Sequence, residues 1–368
     1  MIQVFDPVIE EEEITAVVDA LRKGEISGSF GNYIPDFENA FAEYIGTKYA
    51  IAVSNGTTAL HLSVAAAGIG QGDEVLVSSS TNIASALAIL HNGAIPVPVD
   101  SESLTWNLDL DLIEKLITPK TKAIIPVHLF GHPVEMDKLM KLAEKHNLIV
   151  IEDCAESHGA TCRGKMTGSF GHMNCFSFYA NKIITTGEGG MITTDNLEYA
   201  EKLRLLRNLA FTKPRFMHEV AGYNFRMTGY QAAFGLAQLK KINRFIDDKR
   251  RIAKLYNANL NNQKGITTPH EASWAKNVYW MYGILLDKTV GITRDELMKE
   301  LYNKGIDTRT FFCPMNIQPC LIESEGFREM KNPIAEGLWE NGLYLPSSCK
   351  LTEVEITYIS KTIIDSCR

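Results

Sequence analysis

The chain has 368 residues, enough for one large α/β unit with a smaller partner. Lysine and arginine total 37 against 44 aspartate and glutamate, a net charge of −7, and 45% of residues are hydrophobic and 22% charged. Such a composition excludes a disordered or collagen-like chain, and it offers no clustered basic footprint for nucleic acid, so the expected partner is a small molecule.

The start, Met1-Ile2-Gln3-Val4-Phe5-Asp6, lacks the basic-then-apolar pattern of a signal peptide, and no apolar stretch is long enough to span a bilayer. Asp6-Pro7 ahead of the acids at 10–13 predicts a helix with Asp6 as N-cap, Pro7 at the first helical position and carboxylates where the dipole favours them. From residue 50 onward, short β-branched runs alternate with stretches of helical period, the pattern of strands joined by crossover helices in a largely parallel sheet. Strands are expected at 50–53, 74–78, 95–99, 123–127, 148–152, 175–178 and 190–193, with helices at 59–67 and 136–146 among them. The apolar run 148–151 fits a central strand covered on both faces, which sets Glu152 and Asp153 at its carboxyl end, where open α/β sheets bind ligands. Beyond Thr194 the pattern predicts helices at 197–206 and, as one long stretch, at 229–261. The tail offers a strand at 278–286, a helix at 294–305, an extended piece at 308–312 and helices near 335–341 and 352–366. The expected division is a large α/β domain over 1–245 and a small α+β domain over 246–368.

Three segments carry chemistry. Ser54-Asn55-Gly56-Thr57-Thr58 sits between a strand and a helix, either as a phosphate cradle at a helix N-terminus or as a plain N-cap made by Thr57. Asp153, at a strand end, suits either a protonated ring nitrogen or the capping of the next turn. Lys182, flanked by apolar residues and followed by Gly187-Glu188-Gly189-Gly190, reads as a desolvated nucleophilic amine or as an exposed loop lysine. Together, and in that order, a phosphate cradle, a strand-end aspartate and a lysine amine match pyridoxal phosphate. His128 and His132 lie four apart with Asp137 following, but no third ligand is apparent and no metal is expected. Cys154, Cys162, Cys175, Cys313, Cys320, Cys349 and Cys367 form no C-x-x-C pair, as in a reduced, cytoplasmic protein. The aromatic run 279–282 reads as core of the small domain.

At these segments, and at Gly72-Asp73-Glu74-Val75, Pro126-Val127-His128-Leu129-Phe130-Gly131 and Gly222-Tyr223-Asn224-Phe225-Arg226-Met227, the chain resembles the DegT/DnrJ/EryC1/StrS sugar aminotransferases. These belong to the aspartate aminotransferase (fold type I) group of pyridoxal phosphate enzymes. The run 181–190 and Tyr279-Trp280-Met281-Tyr282 look nearest to the perosamine synthase-like C4″ aminotransferases. The resemblance implies that Lys182 bonds the cofactor covalently and shuttles a proton, and that Asp153 faces the pyridine nitrogen. It further implies that Glu156 sits near the ring's 3′ oxygen, that Gly56, Thr57 and Ser177 hold the phosphate, and that Asn224 reaches it from the neighbouring subunit of a homodimer. Relatives that remove a 3-hydroxyl carry His in place of this lysine, so transamination is implied, with L-glutamate as donor and a nucleotide-linked keto sugar as acceptor.

Departures from the family pattern fall at Asn82, where relatives stack an aromatic ring on the cofactor, at 24–31, at His172 and at 308–316, positions the resemblance assigns to the acceptor region. Lys213, Arg215 and His218 on one loop, and Arg309, read either as contacts to a substrate diphosphate or as solvated cations. Competing functions are a transaminase of small phosphorylated or other non-nucleotide ketones, a non-catalytic regulator on the same fold, and a nicotinamide oxidoreductase. The last is disfavoured, because Gly68-Ile69-Gly70-Gln71-Gly72 is not G-x-G-x-x-G and precedes a strand.

Overall fold

The computed structural model describes residues 1–214 and 216–367. Helices α1 (Glu11–Arg22) and α2 (Tyr33–Ile45) lead into β1 (Tyr49–Val53), α3 (Gly56–Ala66), β2 (Glu74–Ser78), α4 (Ala84–Leu90), β3 (Ile95–Val99), α5 (Ile113–Leu116), β4 (Thr121–Ile125), α6 (Met136–Lys145) and β5 (Ile149–Asp153). The hairpin of β6 (Thr161–Cys162) and β7 (Lys165–Met166) precedes β8 (Met173–Ser177), β9 (Gly190–Thr194), α7 (Leu197–Arg207), α8 (Gly229–Leu239) and α9 (Ile242–Leu260). The remainder comprises β10 (Ile266–Thr267), β11 (Ala275–Lys276), β12 (Tyr282–Leu286), α10 (Arg294–Asn303), β13 (Arg309–Thr310), α11 (Pro319–Ile322), α12 (Pro333–Asn341), β14 (Gly342–Leu345) and α13 (Glu353–Ser366).

Seven strands form the central sheet in the order β1-β9-β8-β5-β4-β2-β3. Only β9 runs antiparallel to its neighbours, so the sheet is mostly parallel, as the crossover pattern predicts. Period-two alternation sorts its side chains: Val75, Val77, Ala123, Ile125 and Ile151 face α3, α4 and α7, while Leu76, Ile124 and Val150 face α5 and α6. A second, antiparallel sheet, β10-β12-β14-β13, packs on α10, α13 and the end of α9. Among the described residues no helix is long and apolar enough to cross a membrane.

Three expectations are corrected. Helix α1 starts at Glu11, not after Asp6: Glu10 is the N-cap, its N–H donating to the Glu13 carboxylate at 2.8 Å in a capping box, while Asp6 pairs with Lys350 on the surface. The helix expected over 229–261 breaks at Lys240 and Lys241, and the break carries the Lys241 ammonium onto Glu10 (2.9 Å) and buried Glu13, tying α1 to α8. The strand expected from 278 begins at Tyr282, because Tyr279 adopts φ +48° and the segment before β12 turns toward the central sheet.

At the end of β5 the buried Glu152 carboxylate accepts from His128 Nε2 (2.9 Å) and from the N–H groups of Gly168 (3.0 Å), Phe170 (2.7 Å) and Gly171 (2.7 Å). His128 Nδ1 accepts from Val134 N–H at 3.0 Å, so the ring is the neutral tautomer that donates through Nε2. Burial opposes the charge on Glu152, but the His128 bond and the N–H groups of Gly168 and Gly171 hold its carboxyl below the usual 4.5. Glu152→Gln would turn an NH₂ toward some of these donors and leave them unsatisfied, which should cost about 1–3 kcal/mol, read as a lower melting temperature at neutral pH. The carboxylate's contribution is present above its unfolded value and lost as pH falls through the folded one, so the gap between wild type and variant should narrow in acid. Coincident melting curves at neutral pH would remove Glu152 from this role.

Candidate active site

A cavity of about 660 Å³ opens at the carboxyl ends of β1, β5 and β8 and gathers Gly56, Thr57, Asp153, Glu156, Ser177 and Lys182. Its floor is the N-terminus of α3. Here Asn55, not Thr57, is the cap: Asn55 Oδ1 accepts from Thr58 N–H at 2.8 Å, and Thr58 Oγ1 returns to Asn55 N–H at 3.1 Å. That leaves the N–H groups of Gly56 and Thr57 and the Thr57 hydroxyl facing the cavity without partners among the described residues, an arrangement suited to an anion. Glycine is required on two sides of this turn. A Cβ on Gly56 would lie 2.7 Å from Ser177 Cβ, and one on Gly190 would lie 2.4 Å from the Asn55 carbonyl oxygen.

Asp153 is buried at the end of β5. Ser85 Oγ donates to its Oδ2 at 2.7 Å and Ala155 N–H to its Oδ1 at 3.1 Å, which aims the carboxylate into the cavity. Glu156, also buried, accepts from Phe130 N–H at 2.8 Å; burial pushes its carboxyl up to about 7, against the pull of Lys182 and that N–H. Lys182 sits on the connection between β8 and β9. Its side chain keeps some surface at the cavity wall, but the amine is set deep among protein atoms, and burial lowers its pKa despite Glu156 and Asp153 nearby. A lowered pKa enlarges the neutral, nucleophilic fraction of the amine at physiological pH. His158, buried between Phe176 and Phe178, is pushed down to about 3 by burial and by Lys182 and stays neutral.

The remaining candidates lie elsewhere. Asn224 is exposed and bridges Asn208 on an outer edge, Lys213 is exposed on the following loop, and His218 bonds the Leu209 carbonyl through Nδ1 at 2.8 Å. Arg215 lies outside the described residues. Arg309 is paired with Asp307 at the surface. Of the four departures, Asn82 and Phe312 do line the cavity. His172 does not: it accepts from Val150 N–H at the opposite end of β5, and Gly28 packs against Arg226 and Met227 instead. His128 and His132 do not converge, since His132 Nε2 accepts from Ala272 N–H.

Sequence reasoning missed part of the wall. The run 279–282 is split: Tyr279 and Tyr282 pack in the small unit's core as expected, whereas Trp280 and Met281 pack with the large unit, and Trp280 lines the cavity with its ring over Lys182 Nζ, joined by Tyr344 and Phe312 from the second sheet's side. Trp280 had one signal: a buried indole needs an acceptor for its N–H, so a Trp at strand spacing marks a place where the core meets a polar group.

The profile of the DegT/DnrJ/EryC1/StrS aminotransferase family matches residues 7–364. The chain belongs to this family. It is a pyridoxal phosphate-dependent sugar aminotransferase. This aminotransferase is 46% identical over 359 residues to the GDP-perosamine synthase of Caulobacter vibrioides, covering 96% of this chain and 95% of that protein. It is 38% identical over 340 residues to the dTDP-3-amino-3,4,6-trideoxy-alpha-D-glucose transaminase of Streptomyces venezuelae, covering 91% and 88%. Among solved structures, S. venezuelae DesV in complex with a ketimine intermediate matches with a TM-score of 0.91 at 35% identity, covering 97% of this chain and 95% of that one.

The aminotransferase's cavity fits its cofactor by its own chemistry: open N–H groups and hydroxyls that suit a phosphate, a buried carboxylate that suits a pyridinium, and an amine on the same cavity. Glu156 adds a titration. Below about 7 it carries a proton and above it a buried negative charge, so cofactor affinity should change as pH crosses that value. Glu156→Gln keeps the shape and removes the proton, and a pH scan of cofactor binding by absorbance should lose that step; a step of equal size in the variant would assign it to another group.

Proposed function

We propose that this aminotransferase moves the amino group of L-glutamate onto a nucleotide-linked keto sugar, a 4-keto-6-deoxyhexose, in amino-sugar and surface-polysaccharide biosynthesis. One observation carries the reading: Lys182 and Asp153 share a cavity with an open helix N-terminus. The names of the relatives, an amino-sugar synthase and an amino-sugar transaminase, support the acceptor class. A non-catalytic regulator would have no use for a desolvated lysine and a buried, hydrogen-bonded aspartate in one cavity.

In this reading Lys182 Nζ bonds pyridoxal 5′-phosphate covalently. When bound, the cofactor supplies an electron sink and carries the amino group between donor and acceptor. Gly56 and Thr57 N–H groups with the Thr57 and Ser177 hydroxyls hold the phosphate, and Asp153, braced by Ser85, keeps the ring nitrogen protonated. Glu156 would stand by the ring's 3′ oxygen, and Lys182, once its amine is free, would take the proton from the donor's α-carbon and return it two atoms along, to the carbon beyond the transferred nitrogen. The aromatic wall of Trp280, Phe312 and Tyr344 limits water around that amine.

Among the described lining residues Lys182 is the sole cation, yet both substrates are anions. We therefore propose a homodimer in which Asn224 reaches the neighbouring subunit's cavity, with Lys213 and His218 on the nearby loop supplying contacts to substrate there. Arg309 is retained as a further substrate contact. The proposed division at residue 245 falls inside α9, whose Phe245 and Ile246 pack with the large unit and whose Tyr256 and Leu260 pack with the small one. The seven free cysteines support a cytoplasmic setting.

The purified protein with pyridoxal phosphate should show a yellow band that L-glutamate bleaches, and a nucleotide-linked keto sugar should restore it. Lys182→Ala should lose the band and all steady turnover with an unchanged melting curve. A band that glutamate leaves intact would refute the donor, and appreciable turnover in Lys182→Ala would refute the role of that lysine.

A further inference from the structure

Trp280 meets the segment that carries Lys182 at two points. Its ring face lies 4.0 Å from Lys182 Nζ, and its Nε1–H donates to the Asn181 carbonyl at 2.7 Å. The indole thus touches both the reactive amine and the peptide just before it. Trp280 is itself held from behind. Its carbonyl accepts from Lys249 Nζ at 2.9 Å, and Lys249, buried inside α9, gives its remaining hydrogens to the Ser347 carbonyl (2.5 Å) and Ser347 Oγ (3.4 Å). Three acceptors for three donors satisfy an amine that has no carboxylate partner among the described residues. From the other side Phe130 stacks on Trp280 with centroids 6.4 Å apart and planes at 25°, and Gly131 approaches so closely that a Cβ there would lie 2.9 Å from Trp280 N.

The groups facing the Lys182 amine explain what such a clamp would accomplish. Asp153 and Glu156 come from the end of β5 and the turn after it, and His158 is buried close by and uncharged. A long, flexible ammonium beside two carboxylates would collapse onto one of them whenever it is released. An aromatic face attracts the same ammonium without occupying a carboxylate that the cofactor needs.

We propose that Trp280 is a positioning residue for Lys182, holding its amine off Asp153 and Glu156, and that Lys249 is the buried anchor that keeps Trp280 in place. The inference rests on the reading of Lys182 as the residue that bonds pyridoxal phosphate.

The test measures the rate at which cofactor-free enzyme captures pyridoxal phosphate, followed by the yellow band across a range of pH, together with melting temperature. The midpoint of that profile reports the amine's protonation and the plateau reports its placement. Trp280→Leu, apolar but without a ring face, should let the ammonium fall onto a carboxylate, moving the midpoint up by about one pH unit and lowering the plateau. Trp280→Phe keeps the face and loses only the Nε1 donor, so it should restore the midpoint and lower the plateau about fivefold, as one hydrogen bond implies. Lys249→Met should shift the midpoint in the same direction as Trp280→Leu by a smaller amount. A wild-type profile in Trp280→Leu overturns the clamp, and an unmoved midpoint in Lys249→Met takes the anchor from Lys249. Should Trp280→Leu fail to melt cooperatively, Trp280→Phe decides, and a wild-type plateau there overturns the proposal. A yellow band that persists in Lys182→Ala would overturn the underlying reading of Lys182 instead.

Discussion

The Glu152 carboxylate is charged, buried and surrounded, among the described residues, by four N–H donors and the Cys154 thiol, and the layout of the catalytic end of the sheet follows from where the N–H donors come from. His128 brings the connection after β4, while Gly168, Phe170 and Gly171 bring the turn that leads into β8. Removing water from such a charge is tolerable only when every lone pair finds a partner, so the two connections have little freedom. Strand alternation then turns the next residue, Asp153, to the other face. The structural carboxylate and the functional one are neighbours in sequence, and the first holds still the frame that aims the second.

Phe130 extends this frame toward the substrate. Its backbone is left-handed, φ +52°, which lets its N–H point at Glu156 while its buried ring backs Trp280 and Phe312, two residues of the cavity wall. One strained residue thus holds a carboxylate of the site through its N–H and supports the aromatic wall through its ring. Gly131 follows with φ +99° and lets the segment 279–280 approach. Polar and apolar parts of the site are therefore coupled through a single turn.

Much of this was legible from residue patterns. The strands at 74–78 and 95–99 coincide with β2 and β3, since β-branched runs between turn residues leave few alternatives. Lys182, Asp153, Glu156, Gly56, Thr57 and Ser177 converge in space although more than a hundred residues separate the first and last of them in the chain. What escaped has a common cause: interactions distant in sequence decided a local choice. Glu10 outcompeted Asp6 as a cap because Lys241 and Arg244, far along the chain, bind it. The same Lys241 interrupts a helix that periodicity alone would continue. Trp280 left its strand because a glycine on the other unit made room for it, and a single chain pattern holds no trace of that.

Helix α9 has a mechanical meaning as well. Its 19 residues make a rod about 28 Å long with no proline or glycine in it, rooted at one end beneath the large sheet and at the other beneath the small one. Swinging the small unit would require bending that rod, and Lys249 midway along it is bonded to the backbone behind the cavity. The two units therefore share one continuous rod, so a displacement of either would be carried along it. Such a coupling would deliver a movement of the small unit directly to the backbone behind the cavity, through the bond between Lys249 and Trp280.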